Sequence, residues 1–206
     1  MVIAIDGPAG AGKSTVARAV AQRLGFTYLD TGAMYRAVAL AAAERGEDAG
    51  AVAEALTIEV GDQVLVDGRD VTAAIRTPEV SAGASKVAAD PRVRAALVRR
   101  QQEIVAEGDW VAEGRDIGTV VAPGAEVKVF LTATAAERAR RRAAQTGRPP
   151  ELVLKAMRER DQRDATADRT VLEPAPDAVP VDTTGLSLDE VVDQIETLAV
   201  EAKELR

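Results

Sequence analysis

The sequence predicts an α/β fold built on a parallel sheet covered on both faces. Three observations predict it. Short apolar runs alternate with longer segments of helical composition along the chain. Each run is nearly all apolar rather than alternating, the mark of strands buried on both sides. The first run also passes through a glycine-rich turn straight into a periodic segment, the strand–loop–helix order that a phosphate loop requires.

The elements follow in order. Residues 2–5 (VIAI) read as a buried strand, the turn-rich 7–12 as a loop, and 15–24 as a helix stopped by Gly25. Residues 26–29 (FTYL) are a second short strand. Residues 33–44 are Ala-rich without Pro or Gly and predict a helix, closed by Gly46 and Gly50. Residues 56–60 and 64–66 alternate around Gly61-Asp62-Gln63 and predict an antiparallel hairpin inserted into an otherwise α/β chain. Residues 92–107 follow Pro91, a residue favoured in a first helical turn. Residues 110–112 and 127–131 are further strands, 138–144 and 152–163 charged helices, and 178–182 a last strand. Residues 187–205 form an amphipathic helix. Ser187 stands at its N-cap and Glu190 three residues on, a capping box.

With 206 residues the chain is sized for one domain with excursions, or at most two, at roughly 100–200 residues per domain. Hydrophobic residues make up 47%, enough to exclude a disordered chain. No apolar run approaches the ~18 residues of a membrane span, and the start lacks a basic leader, so a cytoplasmic protein without a membrane partner is expected. The net charge of −7 disfavours binding to a nucleic-acid polymer. Cysteine and histidine are both absent. That excludes disulfides, thiolate or imidazole metal sites and histidine base catalysis. Chemistry must come from Lys, Arg, Asp, Glu, hydroxyls, main-chain amides and a bound ion.

Residues Gly7, Pro8, Ala9, Gly10, Ala11, Gly12, Lys13 and Ser14 fit G-x-x-x-x-G-K-S/T at every fixed position, with Thr15 following. Glycines let successive N–H groups turn inward onto phosphate oxygens, and the helix N-terminus adds partial positive charge. Lys13 supplies a movable ammonium for the β- and γ-phosphates, and the Ser14 hydroxyl is the expected magnesium ligand. The implied cofactor is ATP with Mg2+. A GTPase would read guanine with N-K-x-D, and the chain contains no Asn. A small metabolite kinase fits the size.

A second anion needs further cations. Thr31-Gly32-Ala33-Met34-Tyr35-Arg36 follows the second strand, and Glu113-Gly114-Arg115-Asp116 follows the third. Ligands of doubly wound sheets bind beyond the carboxyl ends of the strands, so both segments are expected at the edge that holds the phosphate loop. The arginines between 138 and 142 read as a solvated helix face, since charge runs usually meet water.

The segments IDGPAGAGKST, LDTGAMYR, the hairpin insertion, IRTPEVS, DPRVR, GRDIGTVV and RERDQRD, in this order, resemble the bacterial cytidylate kinases. The resemblance implies a P-loop nucleoside-monophosphate-kinase-like fold. Its central five-stranded parallel sheet is flanked by helices, with a hairpin-containing insertion at 37–89 that binds the monophosphate and a helical lid at 137–165. The core would then be 1–36, 90–136 and 166–206. The implied activity is transfer of the ATP γ-phosphoryl group to CMP or dCMP by a monomer. Thr31, Tyr35, Arg36 and Arg115 match positions that hold the monophosphate, Ser85, Arg94 and Asp116 those that read cytosine, and Arg160 and Asp164 those of the lid that touch phosphate and ribose. Lys13, Arg115 and Arg160 would carry the catalytic charge. Where the family reads D-x-x-R near the lid, this chain has Asp164-Ala165-Thr166-Ala167, with Arg169 two residues later. Another small P-loop metabolite kinase and an ATP-binding module without turnover are the alternatives.

Overall fold

A computed structural model describes residues 1–166 and 173–204, leaving aside the side chains of Arg160 and of residues 163–166. The chain divides into two units, Met1–Tyr28 with Gly108–Arg206, and Leu29–Glu107.

The first unit is built on β1 (Val2–Asp6), β6 (Trp110–Glu113), β7 (Val127–Thr132) and β8 (Val179–Asp182), numbering the strands along the chain. With β2 (Thr27–Asp30), in which the chain passes between the units, they form a five-stranded parallel sheet in the order β2-β6-β1-β7-β8. β1 lies between β6 and β7 and is parallel to both. Its central position explains its composition, since Ile3, Ala4 and Ile5 are wholly buried. Helix α1 (Lys13–Leu24) turns Val16, Ala17 and Val20 onto this sheet, and α8 (Leu188–Glu204) adds Val191, Val192 and Ile195 to the same core. The predicted capping box closes the start of α8: Ser187 Oγ accepts the Glu190 N–H, and Glu190 Oε2 accepts the Ser187 N–H at 2.8 Å. Helices α6 (Ala135–Thr146) and α7 (Pro150–Thr166) pack through Ala139, Ala143, Val153 and Met157.

The second unit holds α2 (Thr31–Arg45), α3 (Ala49–Ala55), β3 (Ile58–Val60), β4 (Val64–Val66), β5 (Arg69–Asp70), α4 (Pro78–Val87) and α5 (Pro91–Val105). Its core gathers Met34, Val38, Val52, Leu56, Val66, Ile75, Val93 and Leu97. The hairpin takes the expected register, with Ile58 opposite Val66 and Val60 opposite Val64, and β5 adds a third antiparallel strand.

Two helices of this unit depart from the sequence reading. Gly50 lies inside α3 rather than ending a helix. A Cβ there would come within 2.6 Å of the Arg92 guanidinium, so this glycine makes room for a neighbouring side chain. Helix α4, whose ten residues include two Val, two Ser and a Gly, carries weak local preference, yet Thr77 caps it by accepting the Val80 N–H, with Pro78 in the first turn.

Candidate active site

The loop after β1 is held open by its glycines. Gly7, Gly10 and Gly12 have φ of +146°, +77° and +97°, where a side chain is strained. A Cβ on Gly7 would stand 2.1 Å from the Leu131 carbonyl oxygen, so the chain leaves β1 pressed against β7. Gly12 precedes α1 without a side-chain cap, which leaves the first amides of that helix for a ligand. Lys13 is buried, and its Nζ donates to the Pro8 carbonyl at 3.0 Å, folding the ammonium back over the loop.

The neighbouring strand β6 ends in Glu113, also buried. The Ser14 hydroxyl donates to Glu113 Oε1, and the Tyr28 hydroxyl donates to the same oxygen at 3.1 Å. The Arg18 guanidinium stacks on the Tyr28 ring, 4.4 Å from its centroid. Two hydroxyl donors thus compensate one buried carboxylate and fix the Ser14 rotamer. Among the described residues no group of three acidic, histidine or cysteine side chains could hold a metal ion. With its proton turned toward Glu113, the Ser14 hydroxyl oxygen would be free to hold a magnesium ion of the kind that accompanies nucleotide phosphates.

Beyond Glu113 the chain continues the β1 register, with the Gly114 N–H donating to the Ile5 carbonyl at 3.0 Å. Arg115 Nη1 donates to the Gly7 carbonyl. Buried Asp116 then leads into a wide turn, Ile117–Val121, closed by i→i+5 hydrogen bonds such as that from the Ala122 N–H to the Ile117 carbonyl at 2.7 Å. Such turns often mark functional sites. Asp6, the last residue of β1, accepts the Ile117 N–H on Oδ1 and the Gly118 N–H on Oδ2, both at 2.8 Å. Burial pushes its carboxyl up to about 6, against these two hydrogen bonds; nearby Asp116 raises it and Lys13 lowers it. The adjacent strands β1 and β6 therefore place Asp6, Lys13, Ser14, Glu113, Arg115 and Asp116 at their carboxyl ends, as a doubly wound sheet should.

The arginines of α6 correct one expectation. Arg140 is exposed, but Arg138 and Arg141 do not face water. Arg138 Nη1 donates to the Ala9 carbonyl at 2.9 Å and pairs with Asp161 at 2.8 Å, while among the described residues its Nε and Asp161 Oδ1 are buried without a hydrogen-bond partner. Arg141 reaches the Ala11 carbonyl and Thr183. The physical reason is docking: α6 lies on the phosphate loop, and Arg138 Cβ and Met157 Cε are among the nearest neighbours that a Cβ on Gly10 would meet.

In the second unit, buried Thr31 opens α2. Asp30 caps that helix by accepting the Ala33 N–H at 2.9 Å and pairs with Arg36 at 2.7 Å. Among the described residues Arg36 Nε is buried without a hydrogen-bond acceptor. Tyr35 is half-buried on α2, and Arg94 half-buried on α5. Ser85 is buried on α4, which approaches α2 closely where a Cβ on Gly83 would meet Ala39 Cβ at 3.4 Å. Arg160 and Asp164 belong to α7 by their backbone, while their side chains, like Ala167 and Arg169 altogether, lie outside the described residues.

Sequence reasoning did not single out Asp6, named Glu113 only as part of the segment after the third strand, and read Arg138 and Arg141 as solvated. The first two carried one signal, a carboxylate that ends an apolar strand next to a glycine.

Comparison with known proteins agrees with this geometry. The sequence profile of the family described as "Cytidylate kinase" matches residues 3–201. A cytidylate kinase of Solibacter usitatus is 52% identical over 209 residues, spanning 95% of this chain and 90% of that protein. One from Carboxydothermus hydrogenoformans is 50% identical, spanning 93% and 94%. Among solved structures, a gluconokinase from Sinorhizobium meliloti 1021 matches with a TM-score of 0.55 at 20% identity over 99% of this chain and 94% of that one. A shikimate kinase from Bacteroides thetaiotaomicron matches with a TM-score of 0.51 at 13% identity, over 97% and 98%. At such identities the structures speak for the fold alone. The motifs and the two cytidylate kinases at half identity speak for more, and the chain belongs to the cytidylate kinase family.

Proposed function

We propose that this chain transfers the γ-phosphoryl group of ATP to CMP or dCMP, giving CDP or dCDP and ADP. The observation that carries the reading is the pair of cations on one loop: Lys13 hydrogen-bonds the Pro8 carbonyl and Arg115 the Gly7 carbonyl. Phosphoryl transfer consists mainly of positioning and charge stabilisation, and a CMP phosphate is already an anionic nucleophile. No histidine base is needed, which suits a chain that has none.

The roles divide as follows. The main-chain N–H groups of residue 7 and residues 9–15, shaped by Pro8, bind the ATP phosphates together with Lys13. Ser14, held by Glu113, would hold magnesium, which when bound supplies charge neutralisation between the phosphates. Thr31, Tyr35, Arg36 and Arg115 take the monophosphate. Arg115, Lys13 and Arg160 offset the repulsion of two approaching anions. Ser85, Arg94 and Asp116 read the base: a carboxylate accepts from the cytosine N4 amino group, while Arg and Ser donate to N3 and O2. Uracil reverses that edge and would set a carbonyl against Asp116. Residues 37–89 serve as the monophosphate-binding insertion and 137–165 as the lid, to which Arg160 and Asp164 belong.

The test is a coupled ADP-release assay with ATP and CMP, dCMP, UMP or AMP. Rapid turnover of CMP or dCMP, with UMP and AMP far slower, is the expected result. Turnover of none of the four overturns the reading.

A further inference from the structure

We infer that Asp6 is the positioning residue that fixes Arg115 and Asp116 against the phosphate loop and thereby sets how tightly and how selectively the acceptor nucleotide is held. The inference rests on the proposed transfer to CMP. Asp6 spends both carboxylate oxygens on the amides of Ile117 and Gly118, the two residues directly after Asp116. Those amides begin the 117–121 turn, so no preceding turn offers them an acceptor. A carboxylate from a strand more than a hundred residues earlier acts as their cap. The next residue, Gly7, gives its carbonyl to Arg115. One dipeptide therefore grips segment 115–118 at three points, and that same dipeptide opens the phosphate loop. The Asp6 carboxylate holds only the acceptor-reading side of this junction.

The junction is tight. A Cβ on Gly118 would lie 3.2 Å from Lys128 Cδ and 3.5 Å from Asp6 Oδ2. Among the described residues, the charged groups acting on Asp6 include Asp116 beyond β6 and Lys13 at the start of α1; the apolar stem of Lys128 on β7 packs across Gly118, its ammonium engaged by Asp177. The two amides demand two acceptor oxygens at once. Only the carboxylate provides them, because an Asn of the same shape would turn its NH2 toward one of the N–H groups.

Asp6→Asn tests this directly. Loss of a charge-assisted hydrogen bond should raise KM for CMP by about tenfold or more and lower the CMP-over-UMP ratio of kcat/KM by a similar factor. KM for ATP should stay within about threefold, since the loop amides and Lys13 remain. A merely structural role would shift both KM values together, and that outcome, or wild-type values for CMP, overturns the inference. Should Asp6→Asn fail to fold, the wild-type protein gives the answer by NMR. The amide protons of Ile117 and Gly118 should move together through one titration centred near the value of about 6 to which burial raises Asp6. Two amides unmoved through that range overturn the inference. A wild-type enzyme unable to phosphorylate CMP refutes the proposed function instead, and the amide signals still decide whether Asp6 grips the segment.

Discussion

Ser14 donates its hydroxyl proton to Glu113, so the first residue after the phosphate-loop lysine is oriented by the last residue of a neighbouring strand. A hydroxyl that gives its proton away keeps its lone pairs for a cation. Tyr28 shares the same carboxylate oxygen at 3.1 Å and holds it in place.

Glu113→Gln keeps the size of that side chain and removes its charge. With Ser14 as the proposed magnesium ligand, kcat should fall about 10–100-fold, with KM for CMP nearly unchanged. Steady-state kinetics across magnesium concentrations check this. Wild-type kcat at every concentration would show that the pair does not orient Ser14.

Gly7→Ala meets two obstacles at once, a φ of +146° and the Leu131 carbonyl oxygen 2.1 Å from the new Cβ. The variant should lose on the order of 3 kcal/mol of stability. Urea unfolding measures the loss, and an unchanged midpoint would contradict the close approach of the loop to β7.

The Asp6 carboxyl gives stability a definite pH slope. Its folded value of about 6 exceeds the ordinary 3.8, so the folded state binds this proton more tightly than the unfolded state. The contribution is complete below pH 3.8 and is lost as pH rises through about 6. Its size is on the order of 3 kcal/mol. Glu137 runs the other way: hydrogen bonds from Arg140 and Arg141 hold it down to about 2, so its contribution is present above its ordinary 4.5 and lost as pH falls toward 2. Between pH 4 and 7 the difference between wild-type and Asp6→Asn unfolding midpoints therefore isolates Asp6. A difference independent of pH would contradict the assignment.

Local chemistry made much of this molecule legible in its sequence. Apolar runs marked the buried strands β1, β6 and β7, whereas β2 and β8, read the same way, lie at the sheet edges and bury only part of their side chains; Gly25 and Gly46 do end α1 and α2 in left-handed conformations, and Ser187 with Glu190 caps α8 as read. The misses were tertiary. Gly50 reads as a breaker until the Arg92 guanidinium is seen beside it. The arginines of α6 read as solvated until that helix is seen on the phosphate loop. Asp6 and Glu113 act through partners about a hundred residues away, which no local spacing records.

Asp116→Ala removes the group proposed to meet the cytosine amino edge. The CMP-over-UMP ratio of kcat/KM should fall about tenfold or more, with a smaller change in kcat for CMP itself. Kinetics with both nucleotides check it, and an unaltered ratio would move base reading elsewhere.

The most direct measurement follows the phosphorus itself. With ATP, CMP, magnesium and the purified chain, 31P NMR should show the ATP γ signal replaced by the β-phosphate of CDP, with ADP appearing in equal amount. Lys13→Ala, folded but lacking the loop ammonium, should slow that exchange about a thousandfold or more. ATP converted to ADP and free phosphate without CDP, or CDP formed equally fast by Lys13→Ala, would contradict the account.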